Sequence, residues 1–90
     1  MKELTVEGFL QERAGAAGGV CEKWGIHGWP DRMVLLPDRR IGFLELKRPG
    51  KEPTPLQHSR IRALSGLGFL ADWTDDLQGV ADFMRRLRVH

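Results

Sequence analysis

Asp31, together with Glu45 and Lys47 on either side of Leu46, are the residues of this chain whose types and spacing could do chemistry. Side chains two apart in a strand share a face, so Glu45 and Lys47 leave their strand together, roughly 7 Å apart at the backbone. If a strand starting at Asp31 pairs antiparallel with the strand that ends at Lys47, all three meet at one sheet edge. Two carboxylates joined by the Leu46 backbone carbonyl suit Mg²⁺ or Mn²⁺, hard cations that prefer oxygen ligands and retain waters. The neighbouring ammonium can orient or help deprotonate an attacking water, while the cation stabilises charge developing on a phosphodiester. The plain alternative is a surface ion pair at a strand end, worth little, with Asp31 closing a loop. Charged residues that end an otherwise apolar strand nevertheless need a reason.

The elements that must position these groups follow from periodicity. Val6, Phe9, Leu10, Ala14 and Ala17 fall on one face at helical spacing, which predicts a helix from about Leu4 to Ala17, stopped by Gly18-Gly19. Val20 to Trp24 reads as a short strand, and Gly25 to Pro30 as a loop, because Pro30 bars a continuous ladder. A strand over Asp31 to Leu36 comes next. Pro37-Asp38-Arg39-Arg40 reads as a tight turn, since Pro presets a turn dihedral and Asp can bond backbone nearby, and a hairpin results. Ile41 to Lys47 is apolar on both faces for most of its length, as a central strand should be. Pro49, Gly50, Pro53 and Pro55 hold the following segment in a loop. Leu56, Ile61, Leu64 and Leu67 then predict a helix over Leu56 to Leu67, ended by Gly66 and Gly68. Phe69 to Trp73 is a last strand. Asp75-Asp76 opens a final helix through about Leu87, with Arg85, Arg86 and Arg88 at its basic end. The order α-β-β-β-α-β-α specifies an α/β fold, a four-stranded mixed sheet flanked by helices.

With 90 residues the chain has room for one domain, residues 1–90. Hydrophobic residues at 41% and charged ones at 29% fit a folded globular chain and exclude extensive disorder. No apolar run reaches the length of a membrane span, and the N-terminus lacks the apolar stretch of a secretory signal, so a cytoplasmic setting without membrane contact is expected. Cys21, the single cysteine, rules out an internal disulfide and reads as a small buried side chain. His27, His58 and His90 show no zinc-type spacing with it. The net charge is only +2, but it is uneven. Between Arg39 and Arg62, Arg40, Lys47, Arg48, Lys51 and Arg60 add to the basic charge against Glu45 and Glu52 alone, so that segment could face a polyanion.

The segments Trp29-Pro30-Asp31-Arg32, Leu35-Leu36-Pro37, Phe43-Leu44-Glu45-Leu46-Lys47-Arg48-Pro49-Gly50-Lys51 and Pro55-Leu56-Gln57 occur in an order that resembles the virus-type replication-repair nuclease (VRR-NUC) domain, a branch of the PD-(D/E)xK nuclease superfamily. The resemblance runs from the first helix through the strand at Phe69. It implies a restriction-endonuclease-like core and a Mg²⁺- or Mn²⁺-dependent DNA endonuclease, in which Asp31, Glu45 and the Leu46 carbonyl bind metal and Lys47 serves the attacking water. Stand-alone phage and bacterial members resemble structure-selective homodimers acting on branched DNA, such as four-way (Holliday) junctions or flaps, in replication, repair and recombination. The setting implied is the cytoplasm of a bacterium or a phage-infected host cell. The family also places a catalytic, metal-binding glutamate on the first helix. Glu7 matches by its distance to Gly18-Gly19, and Glu3, one turn earlier on nearly the same face, is the alternate. From the residues alone, either is as well read as a solvated first-turn acid favoured by the helix dipole.

Gln57 stands on firmer ground, because on a helical wheel it falls between Leu64 and Ile61, within the arc that packs on the sheet, where an amide needs partners. The resemblance assigns it support of the active site near Lys47. Arg60 lies in the same arc and could meet a phosphate or the acid cluster, or bury only its aliphatic stem. Arg48 and Lys51 follow the active-site strand into a Pro/Gly-rich loop and are the first candidates for DNA phosphates, with Arg32, Lys23 and Arg62 behind them. Trp24 and Trp29 could stack on an exposed base, though packing is their commoner use. A competing function class is a non-catalytic DNA-binding module that uses the Arg39 to Arg62 segment. Val80, Phe83, Met84 and Leu87 on the last helix either pack on the sheet or supply a self-complementary interface for a homodimer.

Overall fold

In the computed structural model, which describes residues 5–90, the first helix opens at Thr5, whose hydroxyl accepts the Gly8 N–H at 2.9 Å. Glu3 and the expected helix start at Leu4 lie outside the described residues. Helix α1 spans Val6–Ala16 and is followed by β1 Val20–Lys23, β2 Arg32–Leu36, β3 Arg40–Leu46, α2 Pro55–Gly66, β4 Leu70–Thr74 and α3 Leu77–Leu87. This is the order read from the sequence. The sheet runs β1-β2-β3-β4, antiparallel across the first two pairs and parallel between β3 and β4. A parallel neighbour needs a crossover, and α2 supplies it. The fold is therefore the α/β arrangement expected, a four-stranded mixed sheet between helices.

Alternation along the strands sorts the side chains into two layers. Val34, Leu36, Leu44 and Leu70 meet Leu10 and Ala14 of α1 and Val80, Phe83, Met84 and Leu87 of α3. On the other face Phe43 and Ala71 meet Ile61 and Leu64 of α2, with Trp24, Trp29, Met33 and Trp73 packed around them. The four α3 residues considered for a dimer interface are thus 3% exposed or less, inside their own core, and cannot form a surface between copies.

The β2–β3 hairpin differs in one respect from its reading. Asp38 and Arg39 adopt φ of 64° and 60°, so the left-handed corner falls on them, within a three-residue loop that Pro37 opens. The turn fixes the register, Leu36 opposite Arg40 and Arg32 opposite Leu44. It also divides the basic segment. Arg39 and Arg40 lie at the hairpin end of β3, whereas Lys47, Arg48 and Lys51 follow its other end, roughly 20 Å away along a seven-residue strand. The Arg39 to Arg62 segment is therefore no single surface.

Gly42 lies at the centre of β3 under α3, where an added Cβ would stand 2.6 Å from the Phe83 ring and 3.0 Å from Leu87. Both neighbours are fully buried. Gly42→Ala is expected to destabilise the protein by about 1–3 kcal/mol through overpacking, measured by urea denaturation, with no change in secondary structure.

Candidate active site

Asp31 precedes β2 and, continuing the hairpin register, stands opposite Glu45 near the end of β3. Reciprocal hydrogen bonds join them: the Asp31 N–H donates to Glu45 Oε1 at 3.0 Å, and the Leu46 N–H donates to Asp31 Oδ1 at 3.0 Å. The loop before Asp31 is closed by the Trp24 N–H on the Asp31 carbonyl, 2.8 Å, although Trp24 itself falls just outside β1. Glu45 is 5% exposed. Its Oε2 takes the Gln57 amide at 3.1 Å and the Lys47 ammonium at 3.3 Å. Lys47, one residue beyond β3, is held by its N–H on the Thr74 carbonyl, 2.9 Å. Asp31, Glu45 and Lys47 thus meet at one edge, as the spacing predicted, and Gln57, placed there by the resemblance, joins them.

Burial pushes the Asp31 carboxyl above its ordinary 3.8, against the pull of the Leu46 N–H and the Arg32 charge. Burial and the Asp31 charge likewise push Glu45 above 4.5, and Lys47 pulls it back. The pair is therefore two partly desolvated anions held together by backbone geometry in spite of their repulsion, a donor set that favours an added cation.

Gln57 carries a second duty that the sequence reading missed. Its Oε1 accepts the Thr54 N–H at 2.9 Å while the Thr54 hydroxyl accepts the Gln57 N–H at 3.2 Å, a capping box with Pro55 at the first helical position. The signal was present in Thr54-Pro55-Leu56-Gln57, a threonine with glutamine three residues on.

The other candidates are placed as follows. Glu7, in the first turn of α1, pairs with Arg32. Among the described residues no third His, Cys, Asp or Glu joins Asp31 and Glu45 in a cluster. Arg32, a candidate for phosphate contact, is instead 4% exposed, because it alternates with Val34 and Leu36 toward the α1/α3 layer. Arg60 stacks on Trp29, with its guanidinium carbon 4.7 Å from the ring centroid. Trp29 packs on Trp24, and Trp24 on Phe43, so the indoles are part of the α2-side core. Arg48 and Lys51 are exposed on a turn closed by the Lys51 N–H on the Arg48 carbonyl, 2.9 Å, and anchored by the Gly50 N–H on Asp75 Oδ2, 2.9 Å. Lys23 and Arg62 are exposed. Burial pushes the Cys21 thiol up to about 11, which leaves it protonated and unreactive at neutral pH. No helix among the described residues is long and apolar enough to cross a membrane.

No family model matches the chain. A protein described as "Putative nuclease p44", from Acyrthosiphon pisum secondary endosymbiont phage 1, is 37% identical over 81 residues, covering 83% of this chain and 87% of that protein. A solved structure described as "VRR_NUC domain" superposes with a TM-score of 0.79 at 27% identity, covering 89% of this chain and 90% of its own. A second, described as "VRR_NUC domain protein", shares the fold at a TM-score of 0.63 and 16% identity, over 97% of this chain and 90% of its own.

A carboxyl whose folded value lies above its ordinary one binds its proton more tightly in the folded chain. The resulting stabilisation is complete below the ordinary values of 3.8 and 4.5 and is lost as pH rises through the folded ones. In metal-free buffer, Asp31→Asn is therefore expected to unfold at a higher temperature than the parent at pH 7 and to lose less stability between acid and neutral pH. A lower Tm at pH 7 would contradict the electrostatic account. Thr54→Ala, which removes the cap but not the Gln57 amide, is expected to cost about 0.5–2 kcal/mol by chemical denaturation.

Proposed function

Since the chain belongs to the VRR-NUC nuclease family, we propose that it hydrolyses DNA phosphodiesters with Mg²⁺ or Mn²⁺ held by Asp31, Glu45 and the Leu46 carbonyl. The observation that carries this reading is the Asp31–Glu45 pair with Lys47 and Gln57 at one sheet edge. An all-oxygen donor set carrying two raised carboxylates fits a hard divalent cation. The Leu46 carbonyl belongs to it because the N–H and C=O of one strand residue point to the same side, and the Leu46 N–H already faces Asp31. When bound, the cation supplies stabilisation of the negative charge that builds on the phosphodiester oxygens.

The remaining work falls to side chains of this chain. Lys47, anchored on Glu45, orients the attacking water and takes part in removing its proton. Gln57 holds Glu45 at the edge with the amide hydrogen that its capping role leaves free. Arg48 and Lys51, on the anchored turn directly after the site, contact phosphates on either side of the bond that breaks, with Lys23 and Arg62 further out. Arg60 stiffens the loop that delivers Asp31 by stacking on Trp29.

The substrate within this reading is branched DNA, four-way junctions or flaps, cut by a homodimer whose two active sites give paired incisions. Support comes from the small surface of a 90-residue chain, on which a single copy has little room for two duplex arms. The copies would meet through surfaces other than the buried apolar face of α3. The competing binding-module reading is weakened, because Arg39 and Arg40 lie at the opposite end of β3 from Lys47, Arg48 and Lys51.

Purified protein is expected to cleave flaps and four-way junctions faster than linear duplex in the presence of Mn²⁺, and not in EDTA. Asp31→Ala and Glu45→Ala should abolish turnover and keep DNA binding. Lys47→Ala should lower the rate by about 10²–10⁴-fold. Metal-independent binding without cleavage of any of these DNAs would sink the proposal in favour of the module. Light scattering at micromolar concentration tests the homodimer separately.

A further inference from the structure

At the pole of the sheet opposite Asp31 and Glu45, a cleft of about 270 Å³ is lined by Ala17, Leu36, Pro37, Asp38, Arg40 and Arg88. The topology brings its two arginines from different elements. Arg40 opens β3 directly after the left-handed corner, and Arg88 caps the C-terminus of α3, which runs back from the end of β4. A second cleft of about 290 Å³, between α1 and α3, adds Arg13 and Arg85 and shares Arg88 with the first. The two therefore form one strip with Arg88 at its middle.

A guanidinium in the last turn of a helix is favoured by the helix dipole, which accounts for Arg13 and Arg85 without any ligand. It does not account for Arg40, a strand residue. Arg40 reaches Asp38 at 3.2 Å, but that carboxylate is 83% exposed and such a pair is worth little in water, while the buried Arg40 Nε donates to nothing among the described residues. Arg85 is paired with Asp82, whereas Arg13 and Arg88 take part in no ion pair among the described residues. The strip thus carries four guanidiniums against two carboxylates, an excess that suits a polyanion. Ala17, Leu36 and Pro37 offer carbon to a sugar, and no aromatic ring lines the first cleft for a base to stack on. Its volume lies just under the roughly 300–1,000 Å³ of small-molecule pockets, which fits a phosphate with its sugar better than a whole nucleotide.

We propose that this strip holds the sugar–phosphate backbone of a second arm of branched DNA, the arm that is not cut. The inference rests on the DNA-cleaving reading above and assigns its preference for branch points to a surface of the single protomer. Asp31 and Glu45 face the α2 layer at one end of β3, whereas the strip lies on the α1/α3 side at the other end, roughly 20 Å along the strand. A linear duplex seated at the Asp31–Glu45 edge cannot turn around the sheet to reach it, because duplex DNA is stiff over roughly 150 base pairs. A branch point sends a second arm away at a large angle without that bending. The strip is a foothold for a few phosphates rather than a groove for a whole duplex, and phosphate contacts position an arm without reading its sequence.

The test uses the full chain with Arg40→Gln, Arg88→Gln and, as a charge-matched control, Arg86→Gln, whose guanidinium pairs with Asp72 and lines neither cleft. Binding to a four-way junction is read by fluorescence anisotropy in EDTA over a range of salt, and cleavage of the junction and of a linear duplex is read in Mn²⁺. Arg40→Gln and Arg88→Gln should each weaken junction binding about five- to tenfold at about 0.1 M salt, and each should flatten the slope of log K against log salt by about 0.9. Their kcat/KM on the junction should fall by the same factor and on the linear duplex should equal that of the parent. Parent-like junction binding in both variants, an equal loss of kcat/KM on junction and duplex, or the same loss in Arg86→Gln would overturn the proposal. Arg88 is exposed at its helix end, so Arg88→Gln decides the matter if Arg40→Gln disturbs the hairpin. A parent that binds the junction but cuts no DNA sinks the nuclease reading alone, and the binding series then decides whether the strip holds an arm.

Discussion

The exchange of hydrogen bonds between Asp31 and the end of β3 is the constraint on which the site depends. Asp31 gives its N–H to Glu45, and its own carboxylate receives the Leu46 N–H. Two partly buried anions would otherwise separate, and among the described residues the Lys47 ammonium pairs with Glu45 and not with Asp31. The backbone does the holding, so the geometry is inherited from the register of the β2–β3 hairpin. That register is set at the opposite end of the strands by Asp38 and Arg39 in the left-handed region. A slip of one residue would turn Glu45 toward the α1/α3 layer and Leu44 toward α2, so the apolar pattern of β3 protects the site as well as the core.

The second support comes from α2. A helix that crosses over to make β4 parallel to β3 must begin near the end of β3, and its first turn is therefore already at the edge that carries Asp31 and Glu45. Gln57 exploits this position with both ends of its amide, the oxygen closing the cap and the nitrogen reaching Glu45. Helix initiation and carboxylate placement are thus one local event. The loop between them is pinned independently by Gly50 on Asp75, which keeps Arg48 and Lys51 beside the same edge.

Much of this was legible in the sequence because it depends on short-range pattern. The order of elements followed from the two periodicities, and the meeting of Asp31, Glu45 and Lys47 followed from parity in a strand and antiparallel pairing. Gln57 was found by its position on the helical wheel, although its cap was overlooked. Arg32 was misplaced because a basic residue beside a catalytic candidate was read by its charge. Its alternation with Val34 and Leu36 would have pointed inward. The pairing of Arg32 with Glu7 joins residues 25 positions apart through a helix–sheet contact, and nothing local encodes it. The burial of the α3 apolar face was one of two readings, and the sheet beneath it decided between them.

The two separate cores have a further consequence. The larger cluster, under α1 and α3, contains none of the four residues that meet at the candidate edge, whereas the smaller one, under α2, adjoins Gln57, Arg60 and the tryptophan loop. The sheet acts as a partition between a keel and a working deck. Side chains on the α2 side can therefore be exchanged with little effect on the larger core, because the α1/α3 side holds most of the buried apolar residues.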